Sequence, residues 1–400
     1  MNKRLLILLM ISSLLLVSGC WDRMEPEEHA IVIAGGYDYD PETELYQMIF
    51  QMASPLGLAG GEFEGEGGDE RFWTVSAWGH SIYDALANLR QKTSRNILFA
   101  HSLIYMVSER MAYHKGVLPV ANTIARSRES RRVMVLAVVK GNDVKELLST
   151  EIPLESANAL GVMNLIDLTV ENVGGTAREN TNDFFKKFGQ PGYQPYLGAL
   201  KFKREEDEGA EEMADPGRSA PIMISGAYLF DNGKAVGYAN DRQTRGINWV
   251  KGEINSANLF VPYPRDEEIE VDIRVLRADS EIKPVIKDGR PRIEVEVNAR
   301  GIIVNTSGPT SFKEESEITR RIERRMAQVI ENDINQGLEK AQSVKSDVFG
   351  FGFAFYRIKP KVWAELEEDW KSTFAQLPVD IDVKATVVRS GVVNRDAQPR

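Results

Sequence analysis

The chain has 400 residues, a formal net charge of −10, 42% hydrophobic residues and a single cysteine, Cys20. The acidic balance argues against a nucleic-acid-binding protein, and one cysteine excludes an internal disulfide and a cysteine-based metal site. A chain of this length exceeds the size at which a single core stops growing, so two or three domains are expected.

The first twenty residues have the order of a bacterial secretory signal. Lys3 and Arg4 precede an apolar run at 5–17, and small residues lead up to Cys20. The run of about thirteen residues is shorter than the roughly 20 that span a bilayer. Small residues before a cysteine resemble the bacterial lipobox, in which diacylglycerol is attached to the thiol. The sequence therefore predicts a lipoprotein signal peptide at 1–19 and lipid attachment at Cys20, the alternative being an ordinary signal peptide with a chance cysteine.

The region from 20 to 202 alternates predicted strands with predicted helices. Residues 30–34 form a continuous apolar run typical of a buried strand, with which 46–52 can pair. Further strands are predicted at 72–78, 101–107 and 133–139, and a helix at 81–89. Residues 57–70, rich in Gly and Glu, predict a flexible loop. This alternation favours an N-terminal α/β domain at 20–202.

An acidic stretch separates this region from the remainder of the chain. Residues 203–219 contain a run of acidic residues before Pro216 and Gly217, which predicts a linker or a long exposed loop. Beyond it, Asn232 and Gly233 lie between two apolar runs and predict a β-hairpin. The C-terminal region is therefore expected at 220–400, with a further division into subdomains near 265 or 310.

The C-terminal region combines strands with one long amphipathic helix. Strands are predicted at 270–275, 292–304 and 379–388, and a shorter helix at 363–374. Between 316 and 344 apolar residues recur at helical spacing, namely Ile318, Ile322, Met326, Ile330, Ile334 and Leu338. The predicted fold class is mixed α/β (α+β), with several domains of mixed β-sheets flanked by helices.

No arrangement of residues in the sequence indicates catalysis. The four histidines, His29, His80, His101 and His114, lack the spacing of a metalloprotease helix. The sequence has no nucleophile elbow, P-loop or dinucleotide fingerprint. Carboxylate pairs are plentiful, and a glycosidase needs only two across a cleft, which a sequence does not reveal. The chain is therefore predicted not to be an enzyme and to use no cofactor and no metal.

A basic cluster lies on the polar side of the long helix, formed by Arg320, Arg321, Arg324 and Arg325. Two interpretations stay open. The arginines could face anionic headgroups or an acidic partner, or they could form a solvated face paired with acids of the same helix, Glu317, Glu323 and Glu331.

Three stretches of the sequence together resemble the Ger(x)C lipoprotein family, the C subunits of spore germinant receptors. The first runs from Ser18 through Cys20, Trp21 and Asp22 into the apolar run at 30–34. The second covers 226–230, 233–237 and 243–249. The third, which is the most specific, comprises Asp347, Val348, Phe349, Gly350, Phe351 and Gly352, then Phe355, Lys359, Pro360, Trp363 and Trp370, and ends in 377–383 and Arg389.

The residues of the third stretch also have a physical interpretation. Asp347 is predicted as an N-cap, the two glycines permit close approach of backbones, and Trp363 and Trp370 form an i, i+7 pair on one helix face. Packing explains these residues as well as binding does. Phe353 stands where the family usually has a polar residue.

The resemblance implies a three-domain α/β lipoprotein that acts in a complex with two integral membrane subunits of the spore inner membrane. Its expected role is a non-catalytic part in the response to nutrient germinants, held by an acylated Cys20 on the outer face of that membrane. Whether this subunit contacts the germinant stays open. The alternatives are a solute-binding lipoprotein of an importer and a cell-envelope hydrolase.

Overall fold

The structure is a computed structural model, and it describes residues 28–53, 72–127, 133–141, 143–150, 152, 155, 157–202, 222–263, 266–306 and 315–389. Secondary-structure elements are numbered along these residues. The predictions at Cys20, at the 57–70 loop and at the 203–219 linker lie outside them.

A mixed sheet of ten strands occupies the first part of the described chain. Its strands are β1 His29–Asp40, β2 Leu45–Ala53, β3 Phe72–Gly79, β4 Asn96–Leu98, β5 Ile104–Ser108, β6 Val135–Val139, β7 Glu179–Asn180, β8 Tyr196–Phe202, β9 Ile222–Asp231 and β10 Lys234–Ala239. Their order is β10-β9-β8-β6-β5-β1-β2-β3, with β4 beside β1 and β7 beside β6. The central strands β1, β5, β6 and β8 are parallel, whereas β2, β3, β9 and β10 pair antiparallel on the two sides.

Helices cover both faces of this sheet. They are α1 Ile82–Arg90, α2 Glu109–His114, α3 Leu118–Arg126, α4 Val144–Ser149, α5 Asn158–Asn172 and α6 Thr181–Phe188. Every residue of β5 is buried, and alternate side chains of a strand point to opposite faces. Accordingly Tyr105 and Val107 belong to one core, while Ile104 and Met106 belong to another. The α/β organisation predicted for this region is confirmed.

The β9–β10 hairpin is confirmed, and it belongs to the first sheet. Asp231 pairs with Lys234, and the two turn residues have positive φ, 51° at Asn232 and 79° at Gly233, as a type I′ turn requires. Phe202 pairs with Ile222, so the sheet continues across the predicted linker. Strand pairing therefore places 222–239 with the first sheet, although the sequence assigned them to the C-terminal region; the domain division at 203–219 stays a prediction.

A second sheet contains four strands in the order β11-β12-β13-β14. They are β11 Ala257–Tyr263, β12 Asp266–Lys287, β13 Arg290–Thr306 and β14 Val379–Arg389. β14 is parallel to β13 and the other pairs are antiparallel. The strand predicted at 270–275 continues to Lys287. The apolar signal of this extension is weak, because exposed charged residues alternate there with buried or half-buried ones.

Two helices contribute to a core that the two sheets share. They are α7 Asp241–Lys251 and α8 Glu315–Ser343. The long helix predicted at 316–344 is confirmed as α8, and the residues of its apolar stripe from Ile318 to Ile334 are at most 2% exposed. This stripe joins one core with residues of both sheets, including Leu229 from the first and Val297 from the second. The two sheets therefore share this core, in addition to the two cores on the faces of the first sheet.

The C-terminal helices differ from the prediction. The helix predicted at 363–374 is divided into α10 Pro360–Leu366 and α11 Trp370–Ala375 by a 3₁₀ turn, Glu367–Asp369, and α9 Phe351–Ile358 precedes them. Seven residues of continuous helix would separate Trp363 and Trp370 by about 10 Å along the axis. The turn instead brings their ring centroids to 5.3 Å. Trp363 and Trp370 therefore lie on two helices and not on one face of one helix.

None of the helices within the described residues is long and apolar enough to cross a bilayer.

Candidate functional site: a buried junction between the two sheets

Asp347 is the centre of a buried hydrogen-bond cluster where the chain leaves α8. Its side chain is 3% exposed. The carboxylate accepts hydrogen bonds from the backbone N–H of Gly350 at 2.9 Å, Phe351 at 3.1 Å and Gly352 at 2.8 Å. Trp370 Nε1 donates a fourth at 3.1 Å. Four donors on one carboxylate fix the start of α9 and the position of α11 together.

The sequence predicted Asp347 as an N-cap. Its carboxylate does satisfy N–H groups at the start of α9, but Gly350 occupies the N-cap position, in a left-handed conformation. Burial raises the pKa of Asp347 to about 7, although the N–H donors of Gly352, Phe351, Trp370 and Gly350 lower it. Asp347 therefore caps the N-terminus of α9 from three residues before the N-cap position.

The loop between α6 and β8 packs directly against this cluster. Gln194 N donates to the backbone carbonyl of Asp347 at 2.8 Å, and Ser346 Oγ donates to the carbonyl of Phe230 at 2.5 Å. Lys371 of α11 forms an ion pair with Asp231 at the end of β9. The cluster thus attaches the C-terminal helices to the first sheet.

Two glycines make the contact between the loop and α9 possible. A Cβ on Gly352 would lie 2.7 Å from Gly192 Cα, and a Cβ on Gly192 would lie 2.6 Å from the Trp363 ring. Gly192 also has a positive φ of 61°, which disfavours other residues. The close approach predicted for the third stretch is therefore confirmed, with Gly192 as a partner that the sequence analysis missed.

Aromatic rings complete the junction below Asp347. Phe355 lies edge-on to Trp370, with ring centroids 5.8 Å apart, and Trp370 also contacts Trp363 and Phe374. Such ring pairs contribute roughly 0.5–1.5 kcal/mol each beyond their buried area. The aromatic residues of the third stretch therefore have a packing role.

A second polar cluster surrounds Tyr196 at the start of β8. Its hydroxyl lies 2.6 Å from Asn248 Oδ1 and 2.7 Å from Glu253 Oε2. Asn248 Nδ2 donates to the carbonyls of Gly174 and Thr176, both at 2.8 Å. Since Asn248 lies on α7, this cluster attaches α7 to the first sheet.

Two ion pairs extend the Tyr196 cluster. Lys251 bonds to Glu253 at 2.9 Å, and Lys187 of α6 pairs with Glu179 of β7. Burial raises the pKa of Glu179, and the charge of Lys187 opposes that shift. Because both glutamates have a lysine partner, the cluster is balanced in charge.

A third contact joins α7 to α8. Arg245 Nε bonds to Asp333 Oδ2 at 2.7 Å, with side chains 16% and 4% exposed. The helices are close enough that a Cβ on Gly246 would lie 1.9 Å from the Asp333 carbonyl oxygen. Both Arg245 and Gly246 belong to the second stretch, within its 243–249 part. Residues of that stretch therefore also form part of the junction.

The junction holds two sheets in a fixed arrangement by buried hydrogen bonds, ion pairs and ring contacts. Within the parts of the chain that the structure describes, no group of three or more His, Cys, Asp or Glu is placed to hold a metal ion. The buried carboxylates of Asp347, Asp333 and Glu179 each have donors or a cation as partners.

The basic cluster lies away from the junction, in the first half of α8. Arg321 forms an ion pair with Glu317, and Glu323 accepts a hydrogen bond from Val387 N of β14 at 3.0 Å. Arg321, Arg324, Arg325 and Gln328 line a cavity of about 370 Å³. Of the acids that the sequence suggested as partners, Glu317 has that role, and Glu323 bonds instead to the second sheet.

Two known protein families match this chain, one in its N-terminal region and one in its C-terminal region. Residues 22–202 match the family described as spore germination protein N-terminal domain. Residues 225–391 match the family described as spore germination B3/GerAC like, C-terminal.

Individual relatives match over nearly the full length. Spore germination protein KC of Bacillus subtilis (strain 168) is 26% identical over 400 residues, covering 98% of this chain and 97% of the relative. Spore germination protein B3 of the same organism is 23% identical over 396 residues, covering 96% and 98%.

A solved structure shares the fold. The crystal structure of the GerBC protein superposes with a TM-score of 0.52 at 17% identity, covering 88% of this chain and 96% of that one. The two family matches together cover most of the sequence; they include the stretches around Arg245 and Asp347 and, from residue 22 onward, the first stretch. The chain belongs to the Ger(x)C family of spore germination proteins.

Proposed function

We propose that this chain is the lipid-anchored, non-catalytic C subunit of a spore germinant receptor. Cys20 carries the lipid and holds the body on the outer face of the spore inner membrane. The body docks on two integral membrane subunits, and nutrient detection by the complex leads to the end of dormancy.

The observation that carries the proposal is the position of residues from the stretches that resemble the family. Asp347 of the third stretch bonds to Gly352 and Trp370 in the junction. Arg245 of the second stretch bonds there to Asp333 of α8. Residues of the stretches that resemble the family thus hold two sheets in one arrangement. A rigid body of this kind suits a subunit that acts through surface contacts with partners.

The state of the buried carboxylates supports a non-catalytic role. A general base needs an accessible oxygen with a free lone pair near the proton that it removes. Asp347 has four hydrogen-bond donors, and Asp333 is paired with a guanidinium. These two carboxylates therefore have a structural role.

Affinity purification from detergent-solubilised spore membranes tests the complex. The chain, tagged at its C-terminus, should co-purify with two polytopic subunits, and mass spectrometry should find a diacylated Cys20 as the mature N-terminus. A protein recovered alone, with an unmodified Cys20, would contradict the proposal and favour a solute-binding lipoprotein or a hydrolase.

Substitution of Cys20 tests the anchor separately. In a Cys20→Ala variant we expect membrane retention to fall and the germination response to weaken. The variant lacks the acyl chains, each buried methylene of which contributes about 0.8 kcal/mol to membrane binding. Ser18→Ala keeps a small residue and the thiol and serves as the control. Equal membrane retention of the two variants would rule out the lipid anchor.

A further inference from the structure

The cavity on the outer side of α8 is lined almost entirely by guanidinium groups. Arg321, Arg324 and Arg325 line it together with Gln328, and its volume is about 370 Å³. These residues are spaced three and four apart, so they share one helix face. The buried stripe of Ile318, Ile322 and Met326 lies on the other side of the helix, against the second sheet.

The concentration of positive charge is unusual for this chain. Between 317 and 328 the helix carries four arginines and two glutamates, whereas the whole chain has a net charge of −10. Arginines at i, i+3 and i, i+4 repel one another and destabilise a helix by a few tenths of a kcal/mol per pair. Arg321 forms an ion pair with Glu317, whereas the Glu323 carboxylate bonds to the backbone of β14.

We propose that the cavity binds a phosphate group through Arg321, Arg324 and Arg325. A planar guanidinium presents two parallel N–H donors to phosphate oxygens, and three guanidinium groups line this cavity. Gln328 adds an amide donor at the same site. The same chemistry fits the headgroup of an anionic phospholipid or a free phosphate-bearing anion. The proposal goes beyond the receptor role and does not depend on modification of Cys20.

Site-specific arginine modification of the full chain tests the proposal and separates the two sources. The protein is treated with phenylglyoxal, and mass spectrometry follows the rate at each arginine. The conditions are detergent alone, detergent with inorganic pyrophosphate, vesicles of phosphatidylcholine, and vesicles that also contain phosphatidylglycerol. Arg242 and Arg290, which are exposed elsewhere on the surface, are internal references.

We expect Arg321, Arg324 and Arg325 to react roughly fivefold more slowly when the phosphate ligand is bound, which corresponds to about 1 kcal/mol per arginine. Slower reaction in phosphatidylglycerol vesicles alone assigns the site to lipid headgroups, and slower reaction with pyrophosphate assigns it to free phosphate compounds. Unchanged rates in both conditions, or equal slowing of the reference arginines or in phosphatidylcholine alone, would overturn the proposal.

Replacement of the arginines gives a second measurement. Pyrophosphate should raise the Tm of the wild-type chain in detergent if the site takes a free anion, and Arg321→Ala/Arg324→Ala/Arg325→Ala should abolish that rise without loss of folding, since alanine favours helix. The matched Lys triple variant keeps the charge but loses the bidentate geometry, so its rise should be smaller than the wild-type one. A Tm rise that persists in the Ala variant would place the anion elsewhere and contradict the proposal.

Discussion

Asp347 fixes the C-terminal part of the junction, because its buried carboxylate accepts four hydrogen bonds. An asparagine offers one acceptor oxygen and one donor group, and the donor would face N–H groups. Asp347→Asn should therefore lower the free energy of unfolding by about 3 kcal/mol, measured by urea denaturation. Asp382→Asn, at an exposed position of β14, is the control; an equal effect of both variants would contradict the role of Asp347.

The raised pKa of the same residue predicts a pH dependence of stability. The pKa is about 7 in the folded chain and has a reference value of 3.8, so the folded state binds more protons than the unfolded state between these values. The free energy of unfolding contributed by Asp347 should consequently fall as pH rises through this window, by at most about 1.4 kcal/mol per pH unit.

Subtracting the pH profile of Asp347→Asn from that of the wild-type chain isolates this contribution. The wild-type chain should lose more stability than the variant between about pH 5 and pH 7. Parallel profiles would show that the Asp347 carboxylate titrates below this window.

Sequence reasoning identified these residues but not their partners. Gly350 and Gly352 stood out for close approach, while Gly192, which meets Gly352, lies in a loop without a recognisable pattern. The contact joins positions about 160 residues apart, and a single sequence holds no local signal for such a pairing. Arg245 and Asp333 were missed as a pair for the same reason.

At the scale of elements, regular periodicity was the reliable signal. The stripe of α8 predicted a helix within one residue of each observed end, and Asn232-Gly233 predicted a hairpin. The segment predicted as a helix at 363–374 is helical throughout, but the 3₁₀ turn Glu367–Asp369 divides it, and Trp363 packs against Trp370 across that turn. Tertiary packing of buried side chains can interrupt a helix, and the periodicity of apolar residues alone does not show where this happens.

The apolar stripe of α8 should dominate the stability of the second sheet. Ile330 is fully buried in the shared core, so Ile330→Ala should lower the free energy of unfolding by about 3 kcal/mol through lost burial and the cavity left behind. Glu339→Ala, on the exposed side of the same helix, should change it by less than about 0.5 kcal/mol. A small effect of Ile330→Ala would mean that α8 is not tightly packed on the sheet.

At the scale of the whole molecule, the shared core and the junction predict that the two sheets unfold together. The core includes Leu229 of the first sheet, Val297 of the second, and Trp249 and Ile334 of the connecting helices. Asp333→Ala removes the partner of a largely buried guanidinium, which costs roughly 3–5 kcal/mol when the remaining charge has no compensation. Because α7 contacts both sheets and α8 packs on α7 and on the second sheet, we expect this loss to appear in the first sheet as well as in the second.

Native-state hydrogen exchange measures that coupling directly. In Asp333→Ala the slowest-exchanging amides of β6, in the first sheet, and of β13, in the second, should lose protection by the same free energy, since a single cooperative unit opens as a whole. The double variant Arg245→Met/Asp333→Leu replaces the ion pair by apolar side chains and should restore protection in both strands. Loss of protection in β13 with no change in β6 would show that the sheets open independently, and the junction would then be an interface between separate units.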